Sequence, residues 1–176
     1  MTAPLKLTPF DAFVDADGRP ESRRLKELRA YWEKKCDRRA APARRDINPA
    51  DLVVHLPSIF LLNVRNGAKA PEDFEFRLAG TAVDDLFEHA ITGRTVADEI
   101  NARVATRLAG PLAAVVEFKR PIRVYGNLPL VAGGEDLSLE LLLLPLSGDG
   151  KRVDMILGEI LTFRGAVQSG AEKMHA

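Results

Sequence analysis

Leu137-Ser138-Leu139-Glu140-Leu141-Leu142-Leu143-Leu144-Pro145-Leu146 places four leucines in a row at its centre. Ser147-Gly148-Asp149-Gly150-Lys151 follows, a hairpin loop with an Asp-Gly turn, and then the apolar stretch Val153–Phe163. The pattern predicts two antiparallel strands, 137–146 and 153–163. Successive strand side chains point to opposite faces. Leu141–Leu144 therefore require apolar cover on both sides, whereas a sheet with one wet face would alternate. Met155, Ile156, Leu157, Ile160 and Leu161 repeat the demand in the neighbouring strand. The prediction is a sheet covered front and back.

Upstream, two strands and several helices supply that cover. Ser58–Val64 is a compact apolar run, and Phe74, Phe76 and Leu78 alternate with Glu75 and Arg77 in a second strand. Thr81, with Asp84 three residues on, reads as a capping-box variant opening a helix over 82–90. A helical turn is expected over 95–100. Asn101 caps a helix to about Phe118, with Val104, Leu108, Leu112 and Val115 on one stripe and a kink or break at Gly110-Pro111. Ile122–Tyr125 is the remaining strand. These helices cover one face. The other needs the stripe Leu25, Leu28, Trp32 and Cys36, or a second copy of the chain. That stripe lies on a helix capped by Ser22 and running to about Arg39; Pro42 breaks it, and Asn48-Pro49 opens a short helix to His55. The organisation read from this is an irregular leader over 1–21, rich in Pro, Gly and Asp, a helical extension over 22–56, a core over 57–164 and a flexible tail over 165–176.

The chain has 176 residues, enough for one domain with one core. Apolar residues make up 46 % and charged residues 28 %, which excludes disordered and fibrous classes. Lys plus Arg and Asp plus Glu are 25 each, so no global field steers the chain toward nucleic acid or anionic lipid. Charge is uneven all the same. Residues 19–45 carry eleven bases against four acids, a local net of +7, which reads as the solvated face of an amphipathic helix or as a patch for an acidic partner or a nucleic acid. No apolar run approaches the roughly 20 residues of a membrane span, and the amino terminus has no secretory signal pattern. The expectation is a cytoplasmic protein without nucleic-acid or membrane partners.

The motifs His55-Leu56-Pro57-Ser58-Ile59-Phe60-Leu61-Leu62, Phe74-Glu75-Phe76-Arg77-Leu78-Ala79-Gly80-Thr81, Leu86-Phe87 and Ile91-Thr92-Gly93-Arg94 resemble those of a family of small stand-alone bacterial proteins in the PAS domain superfamily. The resemblance covers roughly residues 22–163. Asn63 stands where an acid is usual, and Glu88 where glycine is usual. The fold implied is α+β: a five-stranded antiparallel sheet in spatial order 2-1-5-4-3, cupped by helices on one face and carrying an amino-terminal helical extension. The function implied is a non-catalytic sensor or regulatory module. Such a module homodimerises, works with a signalling-protein partner, and binds a small metabolite in the cup or has that cup filled and serves as an interaction adaptor.

Phe76, Leu78, Leu86, Phe87, Val104, Leu108, Leu112 and Tyr125 are candidates for lining the cup, either as a filled core or around a ligand. Arg77 is a candidate anion anchor, or an ion-pair partner of Asp84 or Asp98; Arg94 has the same alternatives. Leu25, Leu28 and Trp32 are candidate interface residues. No catalytic or metal-ligating set is predicted. Residues 101–118 hold no His, Cys, Tyr or Met to ligate a haem iron. Cys36, on the extension helix, reads as a small buried hydrophobe rather than a photoactive flavin's thiol. Haem and flavin are therefore not predicted. His89 is expected to complement a helix dipole, and His55 to cap the short helix or bond backbone. An isomerase- or dehydratase-type reading would have to use Asp98 or Glu99 with Tyr125.

Overall fold

The structure, a computed structural model, describes residues 2–163; the expected tail over 165–176 lies outside the described residues. Seven strands form one antiparallel sheet: β1 (Leu5–Lys6), β2 (Asp11–Asp15), β3 (Ile59–Val64), β4 (Phe74–Ala79), β5 (Ile122–Leu128), β6 (Leu137–Leu146) and β7 (Met155–Phe163). Their spatial order is β1-β2-β5-β6-β7-β3-β4. Counted from the β4 edge, the first five occupy the 2-1-5-4-3 order that the resemblance implies. Four helices accompany them: α1 (Arg23–Cys36), α2 (Thr81–Phe87), α3 (Val96–Glu99) and α4 (Ala102–Phe118).

Two strands more than expected come from the segment read as an irregular leader. Asp11-Ala12-Phe13-Val14-Asp15 pairs with β5, Ala12 opposite Gly126 and Phe13 opposite Tyr125. β5 would otherwise be an open edge, with unpaired amides and carbonyls. Gly126 permits the approach: at φ +119° its missing Cβ would sit 2.4 Å from the Asp11 carbonyl oxygen. A five-residue strand whose partner lies more than a hundred positions away leaves almost no local signal among prolines and an Asp-Gly pair.

The leucine run divides as strand geometry requires. Leu139, Leu141 and Leu143 join Phe60, Leu62, Phe76, Ile156 and the α4 stripe in one core, on the cup face. Leu142, Leu144 and Leu146 join Ile59, Leu61, Leu157, Leu25, Leu28 and Trp32 in a second core, on the back face. Of the two covers that the run admitted, the helix of the same chain is the one used. Leu25, Leu28 and Trp32 are buried against their own sheet, which corrects their assignment as interface residues. The indole N–H of Trp32 donates to the Pro145 carbonyl at 2.8 Å, so helix and sheet are also joined by a buried hydrogen bond.

Smaller departures have local causes. Helix α1 stops at Cys36 because Asp37 and Arg38 turn left-handed, at φ 44° and 67°. The short helix expected over 48–55 is a single 3-10 turn, Pro49–Leu52, and a second turn, Leu56–Ser58, follows it through Pro57. Helix α2 begins at Gly80 without a side-chain cap; Asp84 instead accepts from the Ile91 amide. The capping box forms at Thr95 and Asp98. Helix α4 runs unbroken through Pro111. An interior proline costs about 3 kcal/mol, and burying Val104, Leu108, Leu112 and Val115 returns about 1.5–3 kcal/mol each.

Glu88 closes α2 at φ 62°, a conformation that costs a side-chain-bearing residue about 1–2 kcal/mol. Glycine adopts that conformation without the cost. Glu88→Gly should raise stability by roughly 0.5–1 kcal/mol, read as a higher melting temperature; an unchanged or lower one would contradict the assigned geometry.

Candidate functional site

Three regions gather the side chains that matter. The first is the cup, between the sheet and α2–α4. Its interior is apolar, bounded by Phe60, Phe76, Leu86, Phe87, Leu108 and Leu112 among others, and encloses about 50 Å³. A drug-sized ligand needs about 300 Å³ or more. Phe76, Leu86, Phe87, Leu108 and Leu112 are among the residues around this space. Val104 is buried in the same core without reaching the cavity.

Arg77, Leu78 and Tyr125 do not line it. Across β3 and β4, Leu61 pairs with Leu78 and Leu62 with Phe76, so Arg77 is an extra residue in a bulge. The bulge shifts the phase of the strand. Phe74 and Phe76 face the cup; Leu78, 42 % exposed, borders a groove on the back face. Strict alternation had put all three on one side. Arg77 is exposed, and neither carboxylate proposed for it serves as its partner: Asp84 holds the Ile91 amide and Asp98 the Thr95 amide. Arg94 does form an ion pair, with Glu99 at 2.8 Å. His89 bonds the same carboxylate at 2.7 Å, so its partner is an acid rather than a helix dipole. The buried Glu99 thereby fastens α3 to the loop after α2.

The second region is a polar seam through the back face. Arg123 lies opposite Leu142, and Leu142 opposite Glu159, which also faces Ile59. One register step away, Tyr125 lies opposite Glu140. Glu140 accepts from Arg123 Nε at 2.7 Å and from the amides of Glu21 and Ser22 at 2.6 and 3.0 Å. The Arg123 guanidinium covers the Tyr125 ring at 3.8 Å, and that ring stacks on Phe13. Burial pushes the Tyr125 hydroxyl pKa up. Glu159, fully buried, accepts from Arg24 Nε at 2.7 Å and bonds His55 Nδ1 at 2.8 Å. Burial raises its pKa, and the neighbouring His55 and Arg24 oppose that rise. Arg24 also donates to the Val54 carbonyl and to Ser58 Oγ. The two carboxylates clamp the start of α1 and the 3-10 segment onto the sheet. Neither was singled out from sequence, although each is a lone acid inside an apolar run, Leu139-Glu140-Leu141 and Gly158-Glu159-Ile160, and that was the available signal.

Five of the eleven bases in the basic segment meet a carboxylate within the chain, Arg24 that of Glu159. Arg23 pairs with Glu27, Arg29 with Glu33, Lys35 with Asp51 and Arg39 with Asp46. Cys36 packs beside the back-face core, across the sheet from the cup, and burial raises its thiol pKa. Asp98 and Glu99 belong to α3 on the helical side, whereas Tyr125 lies on the back face, so the sheet separates the pair that an isomerase would require. Among the described residues no His, Cys, Asp and Glu cluster has the makings of a metal site, and no helix is long and apolar enough to cross a membrane.

The third region is the back-face groove, between the 3-10 segment and the outer surface of β3 and β4. Ile59, Leu61, Leu157, Leu52, Leu56 and Leu78 line it, and at one end Gly80 and Thr81 lie against Leu56 and Pro57; its volume is about 440 Å³. Arg44 stands at its end nearest Asn63.

Comparison with known proteins gives one family. The pattern describing the PAS domain matches residues 20–161. No curated protein matches the chain. Similar solved structures include an RNA-binding light-oxygen-voltage receptor, 17 % identical with a TM-score of 0.48, matched over 65 % of this chain and 32 % of its own. The chain thus spans about a third of that receptor's length. The LOV protein of Rhodobacter sphaeroides is 16 % identical with a TM-score of 0.47, over 71 % and 72 % of the two chains. The PAS domain of Bordetella pertussis BvgS is 14 % identical with a TM-score of 0.44, over 67 % and 89 %.

Proposed function

This chain belongs to the PAS domain family, and from that premise we propose that it is a non-catalytic sensor or regulatory module. Its cup takes no guest larger than a few heavy atoms, and its output is a contact with another protein chain, a second copy of itself included. The observation that carries the reading is the cup's volume, about 50 Å³ within wholly apolar walls. Liquid water occupies about 30 Å³ per molecule and needs polar partners to enter a cavity, whereas a dry apolar cavity admits a small apolar guest such as xenon. A metabolite with several polar groups would find no donor or acceptor there. The separation of Glu99 from Tyr125 by the sheet supports the non-catalytic part.

Native mass spectrometry of protein purified from its own host tests the reading, together with melting under xenon. The expected masses are those of the bare chain and its dimer, and xenon should raise the melting temperature. Leu108→Ala, which enlarges the cavity, should increase that rise. A retained organic molecule larger than benzene would overturn the small-guest reading. No response to xenon, even in Leu108→Ala, would favour an adaptor with a filled core.

A further inference from the structure

The back-face groove carries more than its walls. Of the seven large apolar side chains exposed among the described residues, four, Val53 and Val54 (63 % and 67 %), Leu56 and Leu78, lie on or beside it. Val53 and Val54 form the turn joining Leu52 to Leu56, which both line the groove. An apolar knob thus stands next to an apolar hole. The knob is held rigidly, because the Val54 carbonyl accepts from Arg24, which the buried Glu159 grips, and the next residue, His55, bonds the same carboxylate.

The groove's two ends carry opposite charge. At one end Arg44 donates to the Ile47 carbonyl and forms no ion pair with a carboxylate among the described residues. At the other, Thr81 opens α2, and Asp85 lies four positions on, on the same helix face. The Asp85 side chain also has no partner among the described residues.

A two-fold interface presents the same patch from both subunits, so knob and hole must lie on one surface and opposite ends must attract. We propose that this face joins two copies of the chain, each Val53–Val54 turn seated in the other's groove and each Asp85 meeting the other's Arg44. The inference rests on the self-association proposed above and names its surface. The buried Glu159 cluster then has a role beyond holding α1: it fixes the shape of the knob.

Sedimentation of the full chain across concentrations tests this. The wild type should be a dimer at micromolar concentration. Val53→Asp with Val54→Asp, at exposed positions where the fold is kept and checked by thermal melting, should weaken it at least ~100-fold. Arg44→Glu and Asp85→Arg should each weaken it by about tenfold, and the two combined should restore it, because the swapped charges again oppose each other across the two-fold axis. A wild-type dimer indifferent to the valine changes would overturn this surface while leaving self-association standing. A wild type monomeric to about 100 µM would overturn both, leaving the groove to a different chain.

Discussion

Glu140→Leu is expected to destabilise the protein by about 3–5 kcal/mol, measured by urea unfolding. The carboxylate and its partner Arg123 are 4 % and 5 % exposed and 2.7 Å apart. Arginine does not shed its proton in proteins, so removing the acid strands a buried cation whose other acidic neighbour, Glu21, is 3.8 Å away and largely exposed. It also orphans the amides of Glu21 and Ser22 just ahead of α1. Replacing both members, Glu140→Leu with Arg123→Met, removes the stranded charge and should recover much of the loss, leaving the cost of two unbonded amides. A single substitution costing under about 1 kcal/mol, the range of exposed pairs, would mean that water reaches this pair and that the back face is more open than the geometry places it.

Trp32→Ala should cost a further about 3–5 kcal/mol, the usual range for emptying a buried aromatic site. The substitution also leaves the buried Pro145 carbonyl without its donor. Trp32→Phe separates the two effects: it keeps most of the apolar volume and loses the N–H, so it should cost about 1–3 kcal/mol. Trp32 is the only tryptophan, so the wild-type emission maximum should be that of a shielded indole and shift red on unfolding. Red emission in the native protein, with little loss of stability on truncation, would show α1 detached from the sheet. Leu142, Leu144 and Leu157 would then need cover from elsewhere.

These results bear on how the chain sets its own surface. The extension helix occupies the back face, so Leu25, Leu28 and Trp32 meet their own sheet, the first of the two covers the leucine run admits, and are not offered to a partner. What remains exposed on that face is displaced to its β4 side, where the 3-10 segment and the bulge at Arg77 leave a groove. Partner contact is therefore sought at Val53, Val54, Leu56 and Leu78.

The two-sided burial of β6 was legible because consecutive leucines in a strand have only one physical solution, apolar cover on both faces, whereas the five-strand order came only with the family resemblance. The stripe on α1 was legible for the same reason, since helical period places Leu25, Leu28 and Trp32 on one side. Periodicity, however, reports that a face is buried and not against what. Whether the stripe met its own sheet or a second subunit was settled only by the path of the chain from Cys36 back to β3. The leader's strand exists because β5 offers a free edge, which is a property of the assembled sheet. The bulge at Arg77 is a mismatch between two strands and has no signature in either alone, so the side taken by Leu78 was decided only on pairing. The partners of Glu140 and Glu159 lie 17 to 135 positions distant in sequence. Local composition announced the buried acids; only tertiary structure could bring the arginines to them.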